Sequence, residues 1–269
     1  MKKILLSGVV VVAAAAVVVG ATTAFFTDTE TSTGNTFTAG AIDLTVDSDC
    51  HYWNYVGDDY NGDPAANEDG YVDVGCGEWV PNPQGTPEPV AVGDWEATDL
   101  GVENRFFNFS DIKPGDKGEN TISLHVENND AWLRFVVKDV TDLDNTCTEP
   151  EEGANNESCE VGDPELNEEG AGELRENLLF TIWLDNGNNV LDDDEYPVIE
   201  DEVLPEGGVT LDLKDINGTY LVGGETAYFG VAWELPSDTE NEVQTDSMSA
   251  TMEFQVEQVR NNPEPFETD

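Results

Sequence analysis

Apolar side chains recur at every second position in seven stretches: Ile42, Leu44, Val46; Ile122, Leu124, Val126; Leu133, Phe135, Val137; Leu178, Phe180, Ile182, Leu184; Val209, Leu211, Leu213; Phe229, Val231, Trp233; and Met252, Phe254, Val256. A helix cannot gather such a row on one side, because its faces repeat about every 3.6 residues; a strand can, because successive side chains point to opposite faces. In the last stretch the intervening residues Thr251, Glu253, Gln255 and Glu257 are polar and suit an outward face. Seven or eight strands with one buried face predict an all-β antiparallel sandwich.

Gly and Pro supply reversals at Lys113-Pro114-Gly115-Asp116, Asp215-Ile216-Asn217-Gly218 and Leu221-Val222-Gly223-Gly224. Helical propensity is confined to Gly172–Leu179, whose end runs into the Leu178 strand, so at most two short helices are expected. Residues 47–104 and 142–171 differ in texture, rich in Asp, Asn and Gly, and read as loop-rich insertions in a single domain spanning 38–262, followed by a tail at 263–269. No repeat of solenoid period is visible.

The chain carries 58 acidic against 10 basic residues, a formal charge of -48. Such a surface repels nucleic acid and anionic membranes, and its natural partners are cations. Disorder does not follow, since 38% hydrophobic residues with six Trp and eleven Phe can build a core. Self-repulsion relieved by screening points to a saline, halophilic setting. The protein should therefore refold more completely in molar salt than in dilute buffer, and equal stability in both would sink that reading.

Lys2 and Lys3 precede an apolar run from Ile4 to Ala24 that ends in the small residues Gly20, Ala21, Thr22, Thr23 and Ala24. This reads as a signal peptide over 1–24 cleaved after Ala24; the run is also just long enough to span a bilayer, and a retained anchor is the alternative. Secretion places the product in the extracellular matrix or at the cell surface, with no membrane association after processing. Cys50, Cys76, Cys147 and Cys159 fit that oxidising exterior. Three pairings are open to four cysteines. Cys50 with Cys76 and Cys147 with Cys159 is favoured, because each pair brackets a polar insertion whose loop entropy a bridge would reduce.

Ala24-Phe25-Phe26-Thr27-Asp28, Thr36-Phe37-Thr38-Ala39-Gly40-Ala41-Ile42-Asp43-Leu44, and Ile112-Lys113-Pro114-Gly115-Asp116-Lys117 with Glu127-Asn128-Asn129 form a recognisable set. So does the C-terminal run from Asn241 through Asn262. With these segments the chain resembles the TasA/camelysin family of secreted proteins, at both ends of the sandwich but not in the insertions. The resemblance implies a jelly-roll-like sandwich, processing by a SipW-type signal peptidase and polymerisation into biofilm matrix fibres or bundling pili, with copies of itself or paralogous subunits as partners. It further implies that residues 25–37 are donated as a strand to the next subunit, with Phe25, Phe26 and Phe37 as assembly residues. A metallopeptidase activity assigned to camelysin relatives is the enzymatic alternative.

Catalytic residues are not expected. The chain lacks H-E-x-x-H and G-x-S-x-G, and its two histidines are His51 and His125, the latter alternating with Leu124 and Val126 and so expected on an outer sheet face. No cofactor is required. Calcium is the ion that acidic, Asn-rich loops could take. The loop from Asp185 to Glu195 offers Asp185, Asn186, Asn188, Asp192 and Glu195 near EF-hand spacing, with Asp185 one place off register and Asn189 where the turn glycine would stand. A second loop has Asp59, Asn61 and Asp63 at alternate positions without a clear bidentate closure. The binding alternative is a calcium-dependent surface adhesion module using the aromatic stretch from His51 to Tyr71.

Overall fold

The computed structural model describes residues 27–31, 34–36, 42–55, 71–73, 76, 91–102, 104–109, 111–146, 148, 151 and 170–266. The strands are β1 (Thr27–Thr31), β2 (Gly34–Thr36), β3 (Leu44–Tyr55), β4 (Tyr71–Asp73), β5 (Ala91–Val92), β6 (Trp95–Thr98), β7 (Asn104–Arg105), β8 (Lys117–Val126) and β9 (Ala131–Leu143). They continue with β10 (Leu179–Asp185), β11 (Pro197–Val203), β12 (Val209–Asp212), β13 (Thr226–Glu234) and β14 (Ser247–Gln258). Two short helices, α1 (Leu174–Asn177) and α2 (Leu213–Asn217), and a 3-10 turn at Asn241–Val243 complete the described elements.

Two sheets face each other. One has the order β12-β9-β14-β1-β2; the other runs β11-β10-β13-β8-β3-β4, with β6 also paired to β3. Every pairing within the two sheets is antiparallel. The seven apolar rows supply the inner faces. In the first sheet Leu133, Phe135 and Val137 on β9 register with Val256, Phe254 and Met252 on β14, and all six are buried. In the second, Phe180, Ile182 and Leu184 on β10 register with Trp233, Val231 and Phe229 on β13. Phe135 joins the layers: its ring stacks on Phe254 at 4.9 Å between centroids and meets Phe229 across the sandwich at 5.6 Å. Such aromatic pairs add stabilisation beyond their buried area.

The second sheet is also buried on part of its outer face, where period-two reasoning expects solvent. Trp183 points outward from β10, is 2% exposed, and lies across Gly230 of β13. A side chain at Gly230 would occupy the indole's place, so glycine there is a packing requirement. Beside it, Glu119 and Thr121 on the outer row of β8 are 5% and 3% exposed.

The strands outrun the sequence reading. β3 continues through Asp47–Tyr55, into the stretch read as an insertion, and β6 returns from that stretch to pair with β3. The Val209-Leu211-Leu213 row ends early: β12 stops at Asp212, and Leu213 begins α2, which closes on Gly218 in the left-handed conformation (φ 73°). Glycine is favoured there because it carries no Cβ to clash.

Candidate assembly edge

The N-terminal segment forms a hairpin on the rim of the first sheet. β1 runs antiparallel to β14 with Thr27 opposite Glu257, Thr29 opposite Gln255 and Thr31 opposite Glu253, and β2 pairs back onto β1. The other side of β14 is taken by β9, so the edge that β1 covers would otherwise present unpaired backbone groups. Asp28 and Glu30 stand in register with the buried Val256 and Phe254. These are the positions where a permanently embedded strand would carry apolar residues. The antiparallel pairing is the main-chain mode of an added strand. Phe25, Phe26 and Phe37 lie outside the described residues.

The loop after β10 gathers all five residues of the expected calcium set, and its carboxylates already hold donors. Asp185 accepts from the backbone of Gly187 and Asn188 and from the Trp183 indole. Glu195 accepts from the backbone of Asn186 at 2.8 Å and of Asp192 at 3.1 Å. Asp192 accepts from the amides of Asn186 at 3.2 Å and Asn188 at 2.9 Å. Asn189 takes a left-handed turn (φ 61°), the role of the glycine it replaces. Its amide reaches Asp49 on β3 at 2.7 Å, which lays the loop over the outer face of the second sheet. Residues 59–63 lie outside the described residues.

That covered face holds both histidines. His125 sits on the outer row of β8, as its alternation predicts, with Nε2 bonded to Asp47 at 2.7 Å and Nδ1 to the Thr226 hydroxyl at 2.9 Å. His51 stands opposite Glu119 and stacks on Trp53 at 5.6 Å. His125 stands opposite Thr45, six residues along the same pair of strands, about 20 Å away at 3.3–3.4 Å per residue. The two rings cannot share one metal ion.

A disulfide joins Cys50 to Cys76, the first of the expected pairs, and closes the loop between β3 and the segment after β4. Closing a loop of that size contributes roughly 3 kcal/mol through unfolded-state entropy. Cys147 and Cys159 lie outside the described residues.

Residues 1–52 match the family model of the camelysin metallo-endopeptidases. The camelysin match agrees with the resemblance of the opening motifs and covers residues 1–26, the β1–β2 hairpin and β3 as far as Tyr52. It thus contains the whole of the segment that covers the β14 edge and, of the disulfide, only Cys50. No curated protein and no solved structure matches the chain significantly. Among the described residues no helix is long and apolar enough to cross a membrane.

Sequence reasoning missed one group at the other end of β14. Asp142, Asp144 and Glu151 are buried, and Asp246 from the turn before β14 stands with them.

Proposed function

We propose that this protein is an extracellular structural subunit of matrix fibres or pili, joined to its copies by exchange of the N-terminal strand, and that it is not an enzyme. The observation that carries the proposal is the pairing of β1 along the open edge of β14, with acidic residues in register with buried apolar ones. Strand addition of this kind draws its affinity from main-chain hydrogen bonds. An equivalent strand from a neighbouring subunit gains the same bonds, so the connection can pass from chain to chain with no new chemistry. The signal-like leader, the acidic surface and the camelysin match at the same end of the chain support this reading. The wide separation of His51 and His125 weighs against the metallopeptidase alternative, because a hydrolytic zinc centre usually draws two or more histidines to one ion.

A cysteine pair tests the exchange. In protein starting at Phe25 and carrying Thr29→Cys and Gln255→Cys, the new residues are register partners. Oxidation after assembly should give a ladder of covalent multimers on a non-reducing gel, and fibres by negative-stain microscopy. Fibres whose chains run only as monomers would place the strand in its own subunit and overturn strand exchange. Absence of fibres in high salt would overturn the fibre reading itself.

A further inference from the structure

The end of the first sheet nearest α1 carries an unusual concentration of enclosed charge. A positive φ of 52° at Asp139 breaks the β9 alternation, and the register with β14 shifts between Ser249 and Thr251. Beyond that irregularity the buried row is Val140 and Asp142 on β9 and Asp144 just past its end, at 9%, 2% and 6% exposure. Two carboxylates thus continue a row that upstream holds Leu133, Phe135 and Val137. Glu151, 1% exposed, joins them from the following segment. Asp246 joins from the turn before β14, where Thr245 adopts φ 67°. Carboxylate oxygens of Asp144, Glu151 and Asp246 all lie within 4.8 Å of one another.

The local bonding does not balance this charge. Glu151 accepts from the Thr148 backbone and from the Thr245 hydroxyl. Asp246 uses one oxygen to accept from the backbone of Glu173 and Leu174 at the start of α1, and its other oxygen is enclosed with no hydrogen-bond donor. Neither oxygen of the buried Asp142 has a hydrogen-bond partner, although its charge is close enough to raise the Asp246 pKa. The cation beside the group is Arg175, whose Nε stands 3.8 Å from Asp142. One guanidinium against four carboxylates leaves an excess of negative charge in a place from which water is largely excluded. Such a group holds either protons or a cation.

We propose that Asp144, Glu151 and Asp246, backed by Asp142, form a calcium site that clamps the base of the 142–171 insertion to the start of β14 and to α1. The donor set is oxygen only, which selects a hard divalent ion over zinc or copper. Carboxylates gathered from separate segments suit the flexible six-to-eight-oxygen coordination of calcium better than the near-ideal octahedron that magnesium demands. The ligands come from three separate segments of the chain. Binding therefore ties those segments together, and binding energy appears as stability of the folded state.

Calcium chloride titrated into chelator-stripped protein at pH 7.5 in high salt tests the site by calorimetry and by thermal unfolding. The expected result is one calcium per chain, a Kd of about 10⁻⁵–10⁻³ M, and a Tm rise of several degrees, with magnesium chloride at least tenfold weaker. Asp144→Asn and Glu151→Gln should each remove the response while the protein stays folded. Asp246→Asn, which keeps an oxygen to cap α1, should do the same. Asp192→Asn, in the loop after β10, should leave it intact. A response lost in Asp192→Asn but kept in the other variants would overturn the assignment. So would the absence of any calcium-dependent heat or Tm change, or a preference for magnesium.

Discussion

Gly230→Ala should destabilise the fold by roughly 3 kcal/mol or more, a Tm loss of about 6–12 °C for a chain of this size. The added Cβ would stand 2.1 Å from Cε2 and Cζ2 of Trp183, well inside contact distance. The indole has little freedom to yield, because it is 2% exposed and its Nε1 donates to Asp185 at 3.2 Å. To make room, the ring must leave the face of β13, which exposes a large apolar surface and releases the Asp185 contact that starts the following loop. The cause can be isolated with a double-mutant cycle. Trp183→Ala alone should cost about 3–5 kcal/mol, and Gly230→Ala should then be nearly neutral, a coupling of roughly 3 kcal/mol. Additive losses in chemical denaturation would show that Gly230 matters for its backbone rather than for the ring above it.

The same corner explains what was legible in the sequence and what was not. Rows such as Leu133-Phe135-Val137 and Met252-Phe254-Val256 were readable because a sheet with one buried face imposes period two on composition. Where burial is two-sided or absent, that signal disappears. β11 was missed because it is an edge strand whose residues are half-buried or exposed, so Pro197-Val198-Ile199-Glu200-Asp201-Glu202-Val203 carries no alternation. Asn120 occupies an inward position on β8 as a polar residue, yet is fully buried. Its amide donates to the Phe106 carbonyl at 3.0 Å and its oxygen accepts from Ser48 at 2.7 Å, a match between distant segments that no local pattern announces.

The acidic group at Asp144, Glu151 and Asp246 was hidden for a related reason. Its members are separated by up to 102 positions in the chain, and the irregularity at Asp139 changes which residues of β9 face inward. The alternation Val140-Thr141-Asp142-Leu143-Asp144 was there to be found, but carboxylates in an inward row look like ordinary polar loop residues until the fold shows them buried. The expected calcium loop after β10 was easier to see because its residues are contiguous, and contiguity also lets it satisfy its carboxylates with its own backbone. Edge pairing of the N-terminal segment was legible only through family resemblance: Thr27-Asp28-Thr29-Glu30-Thr31 carries no apolar alternation.

Glu119→Gln should stabilise the protein at pH 8 by roughly 2–4 kcal/mol and leave it nearly unchanged at pH 4.5. Burial pushes the Glu119 carboxyl up to about 8, with Asp185 and Asp49 adding repulsion and the Thr121 hydroxyl offsetting part of it. The folded value therefore lies above the unfolded one. Below about pH 4.5 the carboxyl is protonated in both states and costs nothing. As pH rises towards 8 the unfolded chain ionises freely while the folded chain must either hold the proton or bury the charge, so stability falls and the full penalty is reached above pH 8. Glutamine keeps an oxygen for the Thr121 hydroxyl, which donates at 2.8 Å, and places an N–H group where the second carboxylate oxygen now has no partner. Asp142 and Asp246 also have raised values and give the parent a slope of the same sign. The informative quantity is therefore the variant-minus-parent difference in unfolding free energy between pH 4.5 and pH 8, measured in high salt. If that difference stays flat, the outer face of β8 is wetter than its burial implies, and the loop after β10 does not seal it.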